Sequence, residues 1–210
     1  MHILLLGATG RTGKEILKQS LEKDYLVTAY VRNPDKLLPH KNLKVIRGKL
    51  DDISSLSLAM KNVDVVLVTL GNPSISTKIA LFETAIPNII EAMKKAKVSR
   101  IIVLSALGVG KTMNNVRPFF RTLPKIFLRR VFNDHYKGEA LLVSSNLKWT
   151  TLHPGILSNR CKSSFPKVYF TESGKKVKRI PITYRKDVAK VMLEKICDEN
   201  TYEKQLVMTS

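Results

Sequence analysis

Residues 1–17 read Met1-His2-Ile3-Leu4-Leu5-Leu6-Gly7-Ala8-Thr9-Gly10-Arg11-Thr12-Gly13-Lys14-Glu15-Ile16-Leu17, and this stretch decides the fold. The apolar run up to Leu6 predicts a buried strand. The glycine-rich turn follows at once, and Lys14-Glu15-Ile16-Leu17 opens a helical pattern. Strand, glycine turn and helix start in succession form a phosphate-binding device, and that succession is the context such a motif requires. Glycine lets the backbone turn tightly and approach a pyrophosphate without a Cβ clash. The helix start adds unpaired N–H donors and a partial positive charge. At this Gly-x-x-Gly-x-x-Gly spacing, Gly7 makes the turn, Gly10 allows close approach and Gly13 lets the helix pack near the sheet. The alternative, an ordinary turn, would place three glycines at a helix start against their propensity.

The next strand, Tyr25-Leu26-Val27-Thr28-Ala29-Tyr30-Val31, ends at Arg32-Asn33-Pro34. A site for NAD usually carries Asp or Glu about 20 residues beyond the glycines, for the ribose 2′-hydroxyl. Arg32 stands there instead, and Arg11 lies inside the glycine loop within reach of the same phosphate. Two guanidiniums suit a 2′-phosphate through forked, charge-assisted hydrogen bonds. The expected cofactor is therefore NADP (NADPH) over NAD; the competing reading is two solvated surface arginines.

Strand and helix patterns alternate along the rest of the chain. Strands are expected at residues 43–48, 63–70, 101–104, 149–152 and 205–208. Helices are expected at 54–62, with Ser54 as N-cap, at 79–97, where Pro87 predicts a kink or a late start, at 133–145 and at 187–198. Continuous apolar strands separated by helices argue for an α/β fold with a mainly parallel sheet covered on both faces. Ligands of such folds lie at the C-terminal edge of the sheet. The glycine loop, Arg32, Gly71-Asn72, Ser105 and Pro154-Gly155-Ile156 should converge there.

The 210 residues fit one domain, 1–210, with a small substrate-side lobe from about 111–132 and 156–186. No run is long enough to span a membrane, and the apolar start enters a glycine loop instead of a cleavage site. Cys161 and Cys197 lack metal-ligand spacing, and no metal constellation assembles from the four histidines. The expectation is a cytoplasmic protein without a metal, monomeric or homodimeric. Of the net charge of +19, +14 falls within residues 111–190. This part could attract an anionic substrate, a nucleic acid or an anionic membrane. A small anionic aromatic substrate is expected, and no nucleic acid.

The chain resembles the atypical short-chain dehydrogenase/reductase family, in its NmrA-like and biliverdin reductase B-like (flavin reductase) branch. The residues that carry the resemblance are Gly7 to Gly13, Val31-Arg32-Asn33-Pro34, Leu70-Gly71, Ser105-Ala106-Leu107-Gly108, Asp134-His135, Leu147-Lys148-Trp149-Thr150, Pro154-Gly155 and Ile182-Thr183-Tyr184-Arg185-Lys186-Asp187-Val188-Ala189. It implies a Rossmann-type doubly wound fold. It also implies NADP binding by Gly7, Thr9, Gly10, Arg11, Thr12, Gly13 and Arg32, with Leu70 and Gly71 against the adenosine and Ser105, Pro154, Gly155 and Ile156 near the nicotinamide. The chain departs from the family pattern in two places. Gly48-Lys49 stands where Gly-Asp is frequent, with Asp51 close by, and His153 stands where Arg often precedes Pro-Gly.

Many short-chain dehydrogenases protonate a carbonyl with Tyr-x-x-x-Lys. Four residues after Tyr25, Tyr30, Tyr136, Tyr169, Tyr184 and Tyr202 stand Ala29, Pro34, Ala140, Ser173, Val188 and Leu206, so the dyad is absent. A flat conjugated acceptor (flavin, quinone or a biliverdin-like tetrapyrrole) demands less, because its π-system spreads the charge of an incoming hydride. Positioning then supplies much of the rate. Ser105 and His153 are the candidate catalytic residues, with His135 and Tyr136 as further possible proton donors. In residues 111–132, Arg117, Arg121, Lys125, Arg129 and Arg130 interleave with Phe119, Phe120, Ile126, Phe127 and Leu128, a pattern that suits a lid, a charged surface patch or an ordinary excursion. The leading reading is an NADPH-dependent reductase; its rival is a non-catalytic NADP-binding regulator.

Overall fold

The computed structural model describes residues 1–71, 80–118, 128–160, 165–177 and 181–210. In chain order the elements are β1 (His2–Leu6), α1 (Arg11–Glu22), β2 (Leu26–Val31), β3 (Leu43–Arg47), α2 (Ile53–Ala59), β4 (Val65–Val68), α3 (Leu81–Ala96), β5 (Arg100–Leu104), α4 (Arg129–Val143), β6 (Lys148–Pro154), β7 (Ile156–Ser158), β8 (Lys167–Phe170), β9 (Ile182–Tyr184), α5 (Arg185–Glu194) and β10 (Lys204–Thr209).

Eight strands form one sheet in the order β3-β2-β1-β4-β5-β6-β10-β8. All pair in parallel except β8, which runs antiparallel to β10 at the edge. The chain winds outward from β1 to β3, then returns to place β4 on the other side of β1. That reversal opens a crevice beyond the carboxyl ends of β1 and β4, where ligands bind in this class of sheet. The fold is the Rossmann-like doubly wound architecture that the first seventeen residues predict.

Strand β1 shows why its apolar run is unbroken. Leu4 and Leu6 face one core, built with Leu56 of α2, Phe82, Ile86, Ile89 and Met93 of α3 and Leu142 of α4. Ile3 and Leu5 face the other, with Ile16 of α1 and Val188 and Met192 of α5. All four β1 side chains are fully buried. Each contributes about 1.5–3 kcal/mol relative to exposure. A strand covered on both faces cannot alternate with polar residues.

Several local expectations are corrected. Asp52, not Ser54, caps α2, its Oδ1 accepting from the Ser55 N–H at 3.0 Å. Helix α3 begins at Leu81, with Pro87 in its interior; its start is tied down from outside, by Asp134. Strand β6 runs on to Pro154. The short strands β7, β8 and β9 carried no sequence signal, because their three or four half-buried residues hold too little periodicity. β8 joins the main sheet, and β7 and β9 form a separate parallel pair. The aromatic and basic core of the 111–132 stretch lies at 119–127, outside the described residues. So does Cys161; Cys197 is exposed and free. No helix among the described residues is long and apolar enough to cross a membrane.

Candidate active site

The turn after β1 is built by its glycines. Gly7 adopts φ +88°, and a Cβ there would lie 2.6 Å from the Thr69 carbonyl oxygen. That contact brings the β1 turn against the end of β4. A Cβ on Gly13 would lie 2.1 Å from the Gly7 carbonyl oxygen, so only glycine lets α1 start this close to the turn. The Gly10 N–H donates to the Gly7 carbonyl at 2.9 Å. Gly10 is also the N-cap of α1 and contributes no side-chain hydrogen bond, and the first turn of α1 holds no acid. The N–H donors of a helix start suit an anion.

These turns border a cleft of about 630 Å³. Gly7, Thr9, Gly10, Arg32, Leu70 and Gly71 line it, as the sequence suggests, together with Asp51, Leu81 and Asn88. Arg32 is exposed at its rim. Tyr30 backs it, the ring lying where a Cβ on Gly48 would be and the hydroxyl donating to the Lys49 carbonyl at 3.1 Å. Burial, and then the charges of Asp52 and Asp51, push the Tyr30 hydroxyl above its ordinary value. Asp51 thus places an acid in the cleft after β3, two residues beyond Lys49. The cradle fits a dinucleotide: a close-approach turn, a helix start and a cation beside an adenosine-sized recess.

Other expected residues lie elsewhere. Arg11 is exposed but does not line the cleft. It stands near Arg185 on α5, whose guanidinium is held below its ordinary value first by burial and then by the like charge of Arg11. Arg185 in turn donates to Asn159 Oδ1 at 2.7 Å. Of the two arginines expected at a shared phosphate, Arg32 lines the cleft and Arg11 stands towards α5. Thr12 is buried and also lies off the cleft. Gly155 is a packing glycine: a Cβ would lie 2.1 Å from the Pro181 carbonyl oxygen, and its N–H is taken by Met208 O and Thr183 Oγ1. Pro154 is buried beside it, whereas Ile156 is 62% exposed.

Ser105 follows β5 at the same edge of the sheet. Its N–H donates to the Leu152 carbonyl at 2.8 Å, and its side chain belongs to a buried polar cluster. Ser105 Oγ lies 2.5 Å from Glu139 Oε1 and 3.2 Å from His135 Nδ1. His135 stacks on Phe82 with ring centroids 3.7 Å apart. Glu139 Oε2 accepts from Gln205 Nε2 at 3.0 Å. His153 is fully buried, with Nδ1 3.0 Å from the Ala106 carbonyl oxygen and Nε2 2.9 Å from Thr151 Oγ1. Both of its ring nitrogens thus face protein oxygens. Tyr136 is 55% exposed, with its ring beside Gly110. Glu139 is the residue that sequence reasoning missed. The signal was present as His135-x-x-x-Glu139, the spacing that puts two side chains on one helix face.

A family model described as NAD(P)H-binding matches residues 7–199. Phenylcoumaran benzylic ether reductase of Pinus taeda is 35% identical over 105 residues, covering 45% of this chain and 32% of that protein. The chain thus spans about a third of that relative. Two solved structures share the fold over 100% of the chain. A short-chain dehydrogenase/reductase of Veillonella parvula in complex with NADP superposes with a TM-score of 0.84 at 19% identity, over 94% of its length. An anaerobillin reductase of Escherichia coli does so with 0.83 at 21% identity, over 97% of its length.

Proposed function

The chain belongs to the NAD(P)H-binding family, and from that premise we propose that it is an NADPH-dependent oxidoreductase that reduces a flat, conjugated, anionic acceptor, a flavin, a quinone or a biliverdin-like tetrapyrrole. The observation that carries the choice of cofactor is Arg32 at the rim of the cleft, in the place after β2 where an NAD site has its acid. Gly7, Thr9 and Gly10 would hold the pyrophosphate side and Leu70 and Gly71 the adenosine. When bound, NADPH supplies a hydride.

Three features support the acceptor class. The Tyr-x-x-x-Lys dyad is absent, which disfavours a simple carbonyl. Ile156 and Ile182, in register on β7 and β9, are both exposed and give a flat ring an apolar neighbour. The surplus of cations within 111–190 suits carboxylates or phosphates on the acceptor. That one protein of this fold is an anaerobillin reductase makes tetrapyrroles a natural part of the test. The experiment is NADPH consumption with flavin mononucleotide, dichlorophenolindophenol and biliverdin in turn. Turnover with at least one acceptor, lost in Arg32→Ala or Gly10→Ala, is expected. Tight NADPH binding without turnover of any acceptor would instead leave the regulator reading.

A further inference from the structure

We propose that Glu139 is the proton store for this reaction and passes its proton through Ser105 to the reduced acceptor. The inference rests on the reductase reading above. A hydride brings two electrons and one hydrogen, so the acceptor still needs one proton.

The geometry gives that proton a route. Ser105 is delivered by β5 to the ligand edge of the sheet and is 6% exposed. Behind it, Glu139 of α4 is 3% exposed. The groups facing Glu139 come from each neighbouring element: Ser105 after β5, His135 on α4 itself, His153 on β6 and Gln205 on β10. Gln205 donates to Oε2, so a proton on Glu139 belongs on Oε1, 2.5 Å from Ser105 Oγ. His153 Nε2 is 3.8 Å from Oε2 and is already bonded to Thr151. In the transfer, the Oε1–H bond breaks as Ser105 Oγ takes that proton, and the Ser105 Oγ–H proton goes to the acceptor. Glu139 is left as carboxylate. Half-buried His135, 3.2 Å from Ser105 Oγ, connects the pair towards solvent for reprotonation.

The chemistry agrees with the geometry. Among the described residues no lysine or arginine pairs with Glu139, and burial pushes its carboxyl up to about 7 against the hydrogen bonds from Ser105 and Gln205. Burial pushes His135 and His153 down to about 4, so neither supplies a compensating charge at neutral pH. A glutamine would satisfy Ser105 and Gln205 equally well, without the cost of a buried ionisable group. Glu139 acts through Ser105 and is thus a positioning residue, with Ser105 the catalytic one.

The test compares the wild type, Glu139→Gln and Ser105→Ala. In the cofactor-free protein, carbon-13 NMR should show one glutamate carboxyl titrating near 7, absent in Glu139→Gln and retained in Ser105→Ala. Wild-type kcat should fall about tenfold per pH unit above that midpoint. Both variants should lose this limb and run roughly 100-fold slower at pH 6, with the Kd for NADPH within about twofold of wild type. A carboxyl that titrates below 5, or a pH limb unchanged in Glu139→Gln, overturns the relay while the reductase reading stands. If Glu139→Gln does not fold, Ser105→Ala with wild-type rate and pH profile overturns it equally. No turnover by the wild type overturns both.

Discussion

Asp134 on α4 holds the start of α3 through Phe82: its two carboxylate oxygens accept from the Phe82 N–H at 3.0 and 3.1 Å. The Glu83 N–H adds a third bond at 2.9 Å. Helix α3 has no side-chain cap of its own, and its Leu81, Thr84, Ala85 and Asn88 line the cleft. Asp134→Ala leaves two helix-start donors without their acceptor. It is expected to cost roughly 2–3 kcal/mol in urea unfolding. NADPH affinity should weaken as well, since one wall of the cleft loosens. A loss below about 0.5 kcal/mol would show that water replaces the carboxylate freely.

Gly10 and Gly13 separate cofactor approach from fold. A Cβ on Gly13 meets backbone atoms, with Gly7 O at 2.1 Å and Ala8 Cα at 2.9 Å, whereas on Gly10 the nearest atom is Gly7 O at 3.2 Å. Gly13→Ala should destabilise by about 2 kcal/mol or more. Gly10→Ala should keep a near-native Tm and raise the Kd for NADPH by about tenfold or more, because its methyl occupies the space of close approach. Equal effects of the two substitutions on Tm would contradict this division.

Arg32 alone, of the two arginines near the glycine loop, lines the cleft. Arg32→Ala should raise the Kd for NADPH by about 10- to 100-fold, the value of one charge-assisted contact, and leave NADH unchanged. Arg11→Ala should change both cofactors alike, since Arg11 is near Arg185 and is not among the residues that line the cleft. Fluorescence titration of the two variants with both cofactors decides it. Selective loss of NADPH in Arg11→Ala would restore the shared-phosphate arrangement.

The legible parts of the chain are those whose signal is local. Gly7, Gly10 and Gly13 act within one turn, and the β1 run reports burial on both faces without reference to any partner. Arg32 is legible because its place after β2 is a fixed distance from the glycines. The nearness of Arg11 to Arg185 was not legible, because α5 is far off in sequence. The contacts of His153 with Ala106 and Thr151 carry no local sequence signal, since Ala106 comes from the turn after β5. Glu139 escaped notice because its meaning comes from Ser105, 34 residues earlier. β8 was invisible because an edge strand is defined by its pairing with β10 more than by its own pattern.

The buried cluster should also be visible in stability. Burial raises Glu139 to about 7 from 4.5, so the folded state holds that proton more tightly than the unfolded chain. The resulting stabilisation is complete below pH 4.5 and is lost as pH rises through 7. His135 and His153 are lowered to about 4 from 6.5 by burial, so their contribution is present above 6.5 and is lost as pH falls through 4. The two effects oppose each other between pH 4.5 and 6.5. Substitution separates them. Relative to wild type, Glu139→Gln should gain on the order of 1–3 kcal/mol between pH 4.5 and pH 8. His153→Gln should lower stability overall and flatten its decline below pH 6.5. Urea unfolding across this range measures both, and a difference between wild type and Glu139→Gln that does not vary with pH would mean that Glu139 ionises as freely in the fold as in the unfolded chain.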